Sequence, residues 1–144
     1  MRTAGVDVGL KRIGLAVSDP TGTLASPWKA LSASGDPERD AAAIAAALAE
    51  LNDDPFEAIV LGHPRRLDGS ATHLTAHVEA VAAALRTRIA VPVVLQDERL
   101  TSHEAESRLA VREKDWRRRK QKLDAAAAAV LLQDYLDRPR RDAP

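Results

Sequence analysis

Three acidic stretches occupy positions where a carboxylate needs an explanation. Asp7 lies in a run, Thr3 to Val8 (TAGVDV), that reads as a short strand. Ala4, Val6 and Val8 fall on one face of it, and Gly5, Asp7 and Gly9 on the other. Asp is disfavoured in strands, and a buried carboxylate needs a cation, a metal or several donors. The neighbouring glycines leave room for a ligand to approach; an Asp here can also simply open a turn. Asp97 and Glu98 come directly after an apolar strand, residues 91–95. Adjacent side chains point in different directions, so only one of the two faces a common site. Asp124 stands in the first turn of an alanine-rich helix, where the helix dipole alone favours an acid. The small residues Ala125 to Ala129 would let that helix lie close to a sheet and bring Asp124 beside Asp7. Three carboxylates from separate elements, gathered at one end of a sheet, suggest a hard-cation site for Mg²⁺ or Mn²⁺. Two such ions can activate water and stabilise a leaving oxygen in phosphodiester hydrolysis.

These residues need elements to position them. Residues 12–18 (RIGLAVS) read as a second strand, joined to the first by Gly9-Leu10-Lys11 in an antiparallel hairpin. After the turn Asp19-Pro20-Thr21-Gly22, residues 23–31 make a third strand that Pro27 weakens or places at an edge. Asp36-Pro37-Glu38 opens a helix that runs to about Leu51, with an acidic first turn and proline at its start. Phe56 to Leu61 is a buried strand ending at Gly62, and a loop covers 63–71. A helix spans about Thr72 to Arg88, and Thr101 and Glu104 have the spacing of a capping box before a further helix. Residues 123–137 form the last helix. The order β-β-β-α-β-α-β-α-α predicts an α/β fold with a mixed sheet covered on both faces. Sites in such sheets form beyond the carboxyl ends of the strands.

Charge is balanced overall, with 21 basic and 21 acidic residues, but it is unevenly placed. Residues 112–122 (REKDWRRRKQK) carry seven basic and two acidic side chains, a net of +5, and residues 138–144 add +2. The rest of the chain therefore carries −7. Concentrated positive charge suits a polyanion better than a neutral metabolite, although a solvated basic loop is the plainer reading. The chain has no cysteine, which excludes disulfides, thiolate zinc sites and a thiol nucleophile. Four aromatic residues are too few for a surface built on base stacking. Neither a secretory layout nor a membrane-length apolar run is present, so a cytoplasmic location with no membrane partner is expected. His73 and His77 have the i, i+4 spacing of zinc ligands without the rest of a metalloprotease motif, so both read as exposed helical histidines. His63 and His103 fall near the loop end of the sheet, where the plain reading is again a surface histidine.

Four segments together resemble the YqgF family of Holliday-junction-resolvase-like proteins, also described as nucleases that mature the precursor of small-subunit ribosomal RNA. GVDVGLKRIGLAVSD (residues 5–19) is similar to that family's opening hairpin, and VLGHPRRLDGS (60–70) to its Gly-x-Pro…Asp-Gly loop. DERLTSHEA (97–105) is the most specific segment, and KLDAAAAAVLLQDYL (122–136) resembles the closing acid-bearing helix. The resemblance implies a ribonuclease H-like fold, a five-stranded mixed sheet flanked by helices, in one nuclease domain over residues 1–138 with a basic tail at 139–144. It implies that Asp7, Glu98 and Asp124 are catalytic carboxylates that bind metal, with Asp97 a fourth candidate ligand. Lys11, Arg12 and Arg99 would neutralise phosphate or the transition state. Arg65, Arg66, Arg117, Arg118, Arg119, Lys120 and Lys122 would hold the nucleic-acid backbone. The substrate would be structured RNA or branched DNA, and the protein a monomer or homodimer; a junction needs two cuts related by a two-fold axis.

The chain departs from that pattern in two places. His63 stands where the family usually has an apolar residue and Arg66 where it has an amide, which adds positive charge to the loop. The closing helix carries one acid where related resolvases tend to carry two, because Ala127 and Ala128 offer no carboxylate. Two other functions stay open at this level. A non-catalytic ribosome-assembly or transcription module would use the same basic patch without a metal. DVGLKRIG is also similar to the phosphate hairpin of actin-like and sugar-kinase folds, but those enclose nucleotide between two such domains, and 144 residues supply one.

Overall fold

The computed structural model describes residues 1–51, 56–64, 66, 68–97 and 123–138. Five strands form one sheet in the order β3-β2-β1-β4-β5. They are β1 (Arg2–Val8), β2 (Arg12–Ser18), β3 (Ala25–Ser32), β4 (Phe56–His63) and β5 (Val93–Asp97). β1 pairs antiparallel with β2 and parallel with β4, β2 pairs antiparallel with β3, and β4 pairs parallel with β5. The carboxyl ends of β1, β4 and β5 therefore share one edge.

Helices α1 (Pro37–Ala49) and α2 (His73–Arg88) cover one face, and α3 (Leu123–Asp137) covers the other. Alternation along β1 decides which side chains go where. Ala4, Val6 and Val8 join Ile13, Leu15, Ile59 and Leu61 in the core against α1 and α2. Ala16 and Val60 face Ala128, Ala129 and Leu132 of α3. This is the expected mixed sheet, with the expected three-strand antiparallel start.

Element ends differ from the sequence reading for local reasons. Asp36 caps α1, its carboxylate accepting from the Glu38 N–H at 3.2 Å, so the helix begins at Pro37. β4 continues past Gly62 to His63 because Gly62 still pairs with Gln96. β5 begins at Val93 rather than residue 91, since Pro92 has no N–H to give the ladder and offers only its carbonyl, to the Ile59 N–H at 2.9 Å. Pro27 falls in edge strand β3, paired with Ala16 where the β2–β3 register shifts. Thr72 caps α2 and forms a reciprocal capping box with Thr75. The helix expected after Thr101 lies outside the described residues.

Candidate active site

Asp7 is half-buried near the carboxyl end of β1, on the face that α3 covers. Its partner on β2 is Gly14. On the other side, the β1–β4 register that pairs Val6 with Leu61 leads next to Gly62. Asp7 thus sits in a lane between two strand neighbours without side chains. Beyond it the chain turns tightly: the Gly9 N–H donates to the Arg12 carbonyl at 2.9 Å. A Cβ at Gly9 would lie 2.8 Å from that same carbonyl oxygen, so the turn requires glycine. Leu10, Lys11 and Arg12 follow, all exposed at the site edge. The turn is tied back to the body by the Ala33 N–H, which donates to the Lys11 carbonyl at 2.9 Å.

The sequence expected small residues to draw the last helix against the sheet, and they do. Ala125, Ala128 and Ala129 are buried. A Cβ on Gly5 would come within 2.8 Å of Leu132 Cβ and 3.0 Å of the Ala128 carbonyl oxygen, so helix and strand are in direct backbone contact there. Farther along α3, the Gln133 side chain accepts from the Ala25 N–H at 2.9 Å and donates to the Thr23 carbonyl at 3.0 Å. Both partners lie at the end of the sheet away from Asp7, because Ala25 pairs with Ser18. The helix accordingly runs toward Asp7 at its start. Residue 124 precedes Ala128 by one turn, roughly 6 Å along the axis at 1.5 Å per residue. Asp7 lies beyond Gly5 by two strand residues, also roughly 6–7 Å. The backbone at 124 is therefore brought level with Asp7.

Of the third acidic stretch, Asp97 is among the described residues. Gln96 is buried on the α3 face, donating to the Leu131 carbonyl at 3.2 Å and to Asp134 Oδ2 at 3.1 Å. Its neighbour Asp97 is the last residue of β5, paired with His63 on β4, and so belongs to the α2 face. Of the two adjacent acids, Asp97 is thus the one whose strand position is opposite to that of Asp7. Glu98 and Arg99 lie outside the described residues, as do Arg65, His103, Arg117, Arg118, Arg119, Lys120 and Lys122 and the tail 139–144; the same holds for the Asp124 side chain. Among the described residues no group of three or more His, Asp or Glu is arranged to hold a metal ion.

The loop after β4 ends near the same edge. Arg66 and Ser70 close it, the Arg66 N–H donating to the Ser70 carbonyl at 3.0 Å, and Gly69 takes the left-handed conformation at φ 91°. Arg66 is exposed. His63 is nearly buried, its Nε2 2.9 Å from Glu79 Oε1 on α2, rather than a plain surface histidine. His77 also corrects the sequence reading. It shares the buried stripe of Val81 and Ala84, and its imidazole meets Asp40 of α1, whereas His73, one turn earlier, is exposed. Asp40, Gln96, Gln133 and Asp134 were not singled out in the sequence. Gln96, Gln133 and Asp134 are polar residues inside otherwise apolar runs, the signal that could have found them, whereas Asp40 follows Glu38 and Arg39 and gave no such signal.

Compared with known families, residues 1–138 match the one described as RuvX, Holliday junction resolvase. The chain belongs to the RuvX family. A relative from Geobacillus kaustophilus, named "Putative pre-16S rRNA nuclease", is 36% identical over 97% of this chain and 100% of its own. Another of the same name, from Opitutus terrae, is 41% identical over 95% of this chain and 92% of its own. Among solved structures, Thermus thermophilus RuvC in complex with a Holliday junction substrate superposes with a TM-score of 0.56 at 20% identity, covering 94% of each chain. At that identity the likeness speaks for the fold, which is ribonuclease H-like. The YqgF-like motifs and the RuvX match describe one and the same relationship.

Proposed function

We propose that this RuvX-family protein is a metal-dependent endonuclease that matures the 5′ end of pre-16S rRNA in the cytoplasm. Membership of the family and the nuclease relatives support a hydrolase acting on nucleic acid. The observation that carries the reading is the glycine-walled lane around Asp7, with the start of α3 level with it and Glu98 directly following β5. Asp7, Glu98 and Asp124 are the residues that would hold Mg²⁺ or Mn²⁺, and a carboxylate set between glycines fits an oxygen-seeking ion that also needs open positions for phosphate. When bound, the ion supplies charge stabilisation and a more acidic water. Asp97, on the α2 face, would serve as an outlying acid beside His63. Lys11 and Arg12 would meet phosphate at the hairpin, and Arg65, Arg66, Arg99 and the basic run Arg117, Arg118, Arg119, Lys120 and Lys122 would hold the backbone farther out.

The description of the family as Holliday junction resolvases favours a second reading, cleavage of branched DNA by a homodimer. One experiment separates the two. Cleavage of a pre-16S rRNA fragment and of a four-way junction is measured with and without Mn²⁺, alongside solution mass. The proposal expects RNA cleavage that requires the metal and is lost by at least about a hundredfold in Asp7→Asn, with RNA binding retained. Junction cleavage by a dimer would support the second reading. Wild-type rates in Asp7→Asn would remove both.

A further inference from the structure

Away from the carboxylates, the seam between α1 and α2 holds a polar pair that packing alone does not explain. Asp40, in the first turn of α1, is 1% exposed. Its Oδ1 accepts from the Ser34 N–H and from Ser34 Oγ, each at 2.8 Å. Its Oδ2 is buried without a hydrogen-bond partner among the described residues. Across the seam, His77 Nε2 is buried and equally without one, 3.8 Å from that oxygen. An unsatisfied buried acceptor costs free energy, and so does an unsatisfied ring nitrogen. Here the two orphans face each other just beyond bonding distance. A relative shift of about 1 Å, with the imidazole proton on Nε2, satisfies both at once.

Each end of the pair leads to a loop at the site edge. On the α1 side, Ser34 follows Ala33, whose N–H holds the Lys11 carbonyl in the β1–β2 turn. On the α2 side, Thr75 lies two residues before His77 and donates its hydroxyl to the Pro64 carbonyl, where the 64–70 loop begins. Thr75 also closes the capping box with Thr72, so the first turn of α2 and the Pro64 end of that loop form one bonded unit. Closing the Asp40–His77 gap would draw the two units together.

We infer that Asp40 and His77 are positioning residues that couple the Lys11–Arg12 turn to the 64–70 loop, so that both sides engage a nucleic-acid backbone together. The inference rests on the nuclease reading for its consequence, though not for the coupling itself. Neither residue touches reacting atoms; they act through Ser34 and Thr75. A pair that merely filled the seam would alter stability without separating KM from kcat.

The test compares His77→Leu, which removes the donor, with His77→Gln, which can return one near the Nε2 position. Amide hydrogen exchange at Ala33 and Ser34 is read together with KM and kcat on the RNA fragment and the junction. In His77→Leu the two amides exchange faster, KM rises about fivefold, the factor for one lost net hydrogen bond, and kcat stays within about twofold. His77→Gln restores both readouts. Unchanged protection at Ser34 in His77→Leu, or a Gln variant that behaves like Leu, overturns the coupling. If His77→Leu does not fold, Ser34→Ala, at an exposed residue, is expected to raise KM in the same way, and an unchanged KM there overturns it too. If the wild type cleaves neither substrate, the nuclease reading falls and the exchange comparison alone decides the coupling.

Discussion

The two faces of the sheet are built from different materials. Toward α1 and α2 the strands present Val6, Val8, Ile13, Leu15, Ile59, Leu61 and Val93 to Ile44, Val78, Val81 and Leu85. Toward α3 they present mainly Ala16, Ala25 and Val60, against Ala128, Ala129 and Leu132. Burial of branched aliphatic side chains is worth roughly 1.5–3 kcal/mol each, and alanines contribute far less. The first face therefore carries most of the stability. The second gives up volume and gains closeness and direction. Gly5 lets the α3 backbone touch β1, and Gln96 and Gln133 fix the helix along and across the strands by hydrogen bonds. Apolar contacts tolerate sliding, whereas bonds to single carbonyls do not. The face that brings the backbone at 124 level with Asp7 is the one built to hold register.

That division can be broken from either side. The largest expected loss of stability is on the aliphatic face: Leu61→Ala should cost about 2–5 kcal/mol by urea unfolding, while the folded fraction keeps its kcat within about twofold. Gly5→Ala should cost less, about 1–3 kcal/mol, because the new methyl must push back Leu132 and the Ala128 carbonyl. Its cleavage rate should nevertheless fall further, by up to about a hundredfold, since displacement of about 1 Å is enough to misplace a catalytic group. Should Gly5→Ala retain full cleavage, the close approach of α3 would have no bearing on the site. Gln96→Leu keeps volume but removes both donated bonds. Asp134 retains Arg138 at 3.4 Å, so a loss of about 1 kcal/mol is expected, with a smaller fall in kcat than for Gly5→Ala.

Much of this was legible in the sequence because it follows from period and residue size. Alternation placed Asp7 opposite Ala4, Val6 and Val8, and the run Ala125 to Ala129 announced a close helix. Turn chemistry at Gly9 and at Asp36-Pro37 located the hairpin and α1. What was not legible depends on where one element meets another. His77 looked like any exposed helical histidine, because nothing within α2 reveals that α1 lays a buried Asp40 across it. Asp40 itself was hidden by the dipole preference for an acid in a first turn. The face of Asp97 depended on the end of β5. Reading the strand from 91 to 95 left Asp97 outside it, whereas β4 continues to His63 and pairs there with Asp97, which carries it into the ladder.

The smallest expected effect concerns an acid whose surroundings are entirely local. Asp19, in the β2–β3 turn, accepts at Oδ1 from the N–H groups of Thr23 and Leu24, both at 2.8 Å. At Oδ2 it takes the Thr21 N–H, at 3.3 Å, and the Thr21 hydroxyl. These donors, the Leu24 N–H first and the Thr21 hydroxyl next, hold its carboxyl well below the usual carboxylate range. A depressed folded value means that the unfolded chain binds the proton more readily. The stabilisation is therefore complete above the ordinary value of 3.8 and fades as the pH falls below it toward the folded value. Asp19→Ala should lower Tm at pH 7, and the gap to wild type should narrow as the pH is taken from 4 down to 2. Because this turn lies at the end of the sheet away from Asp7, nucleic-acid cleavage at pH 7 should stay at the wild-type rate. A Tm gap that stays constant over that range would mean that the turn geometry, and not the charge on Asp19, stabilises the β2–β3 connection.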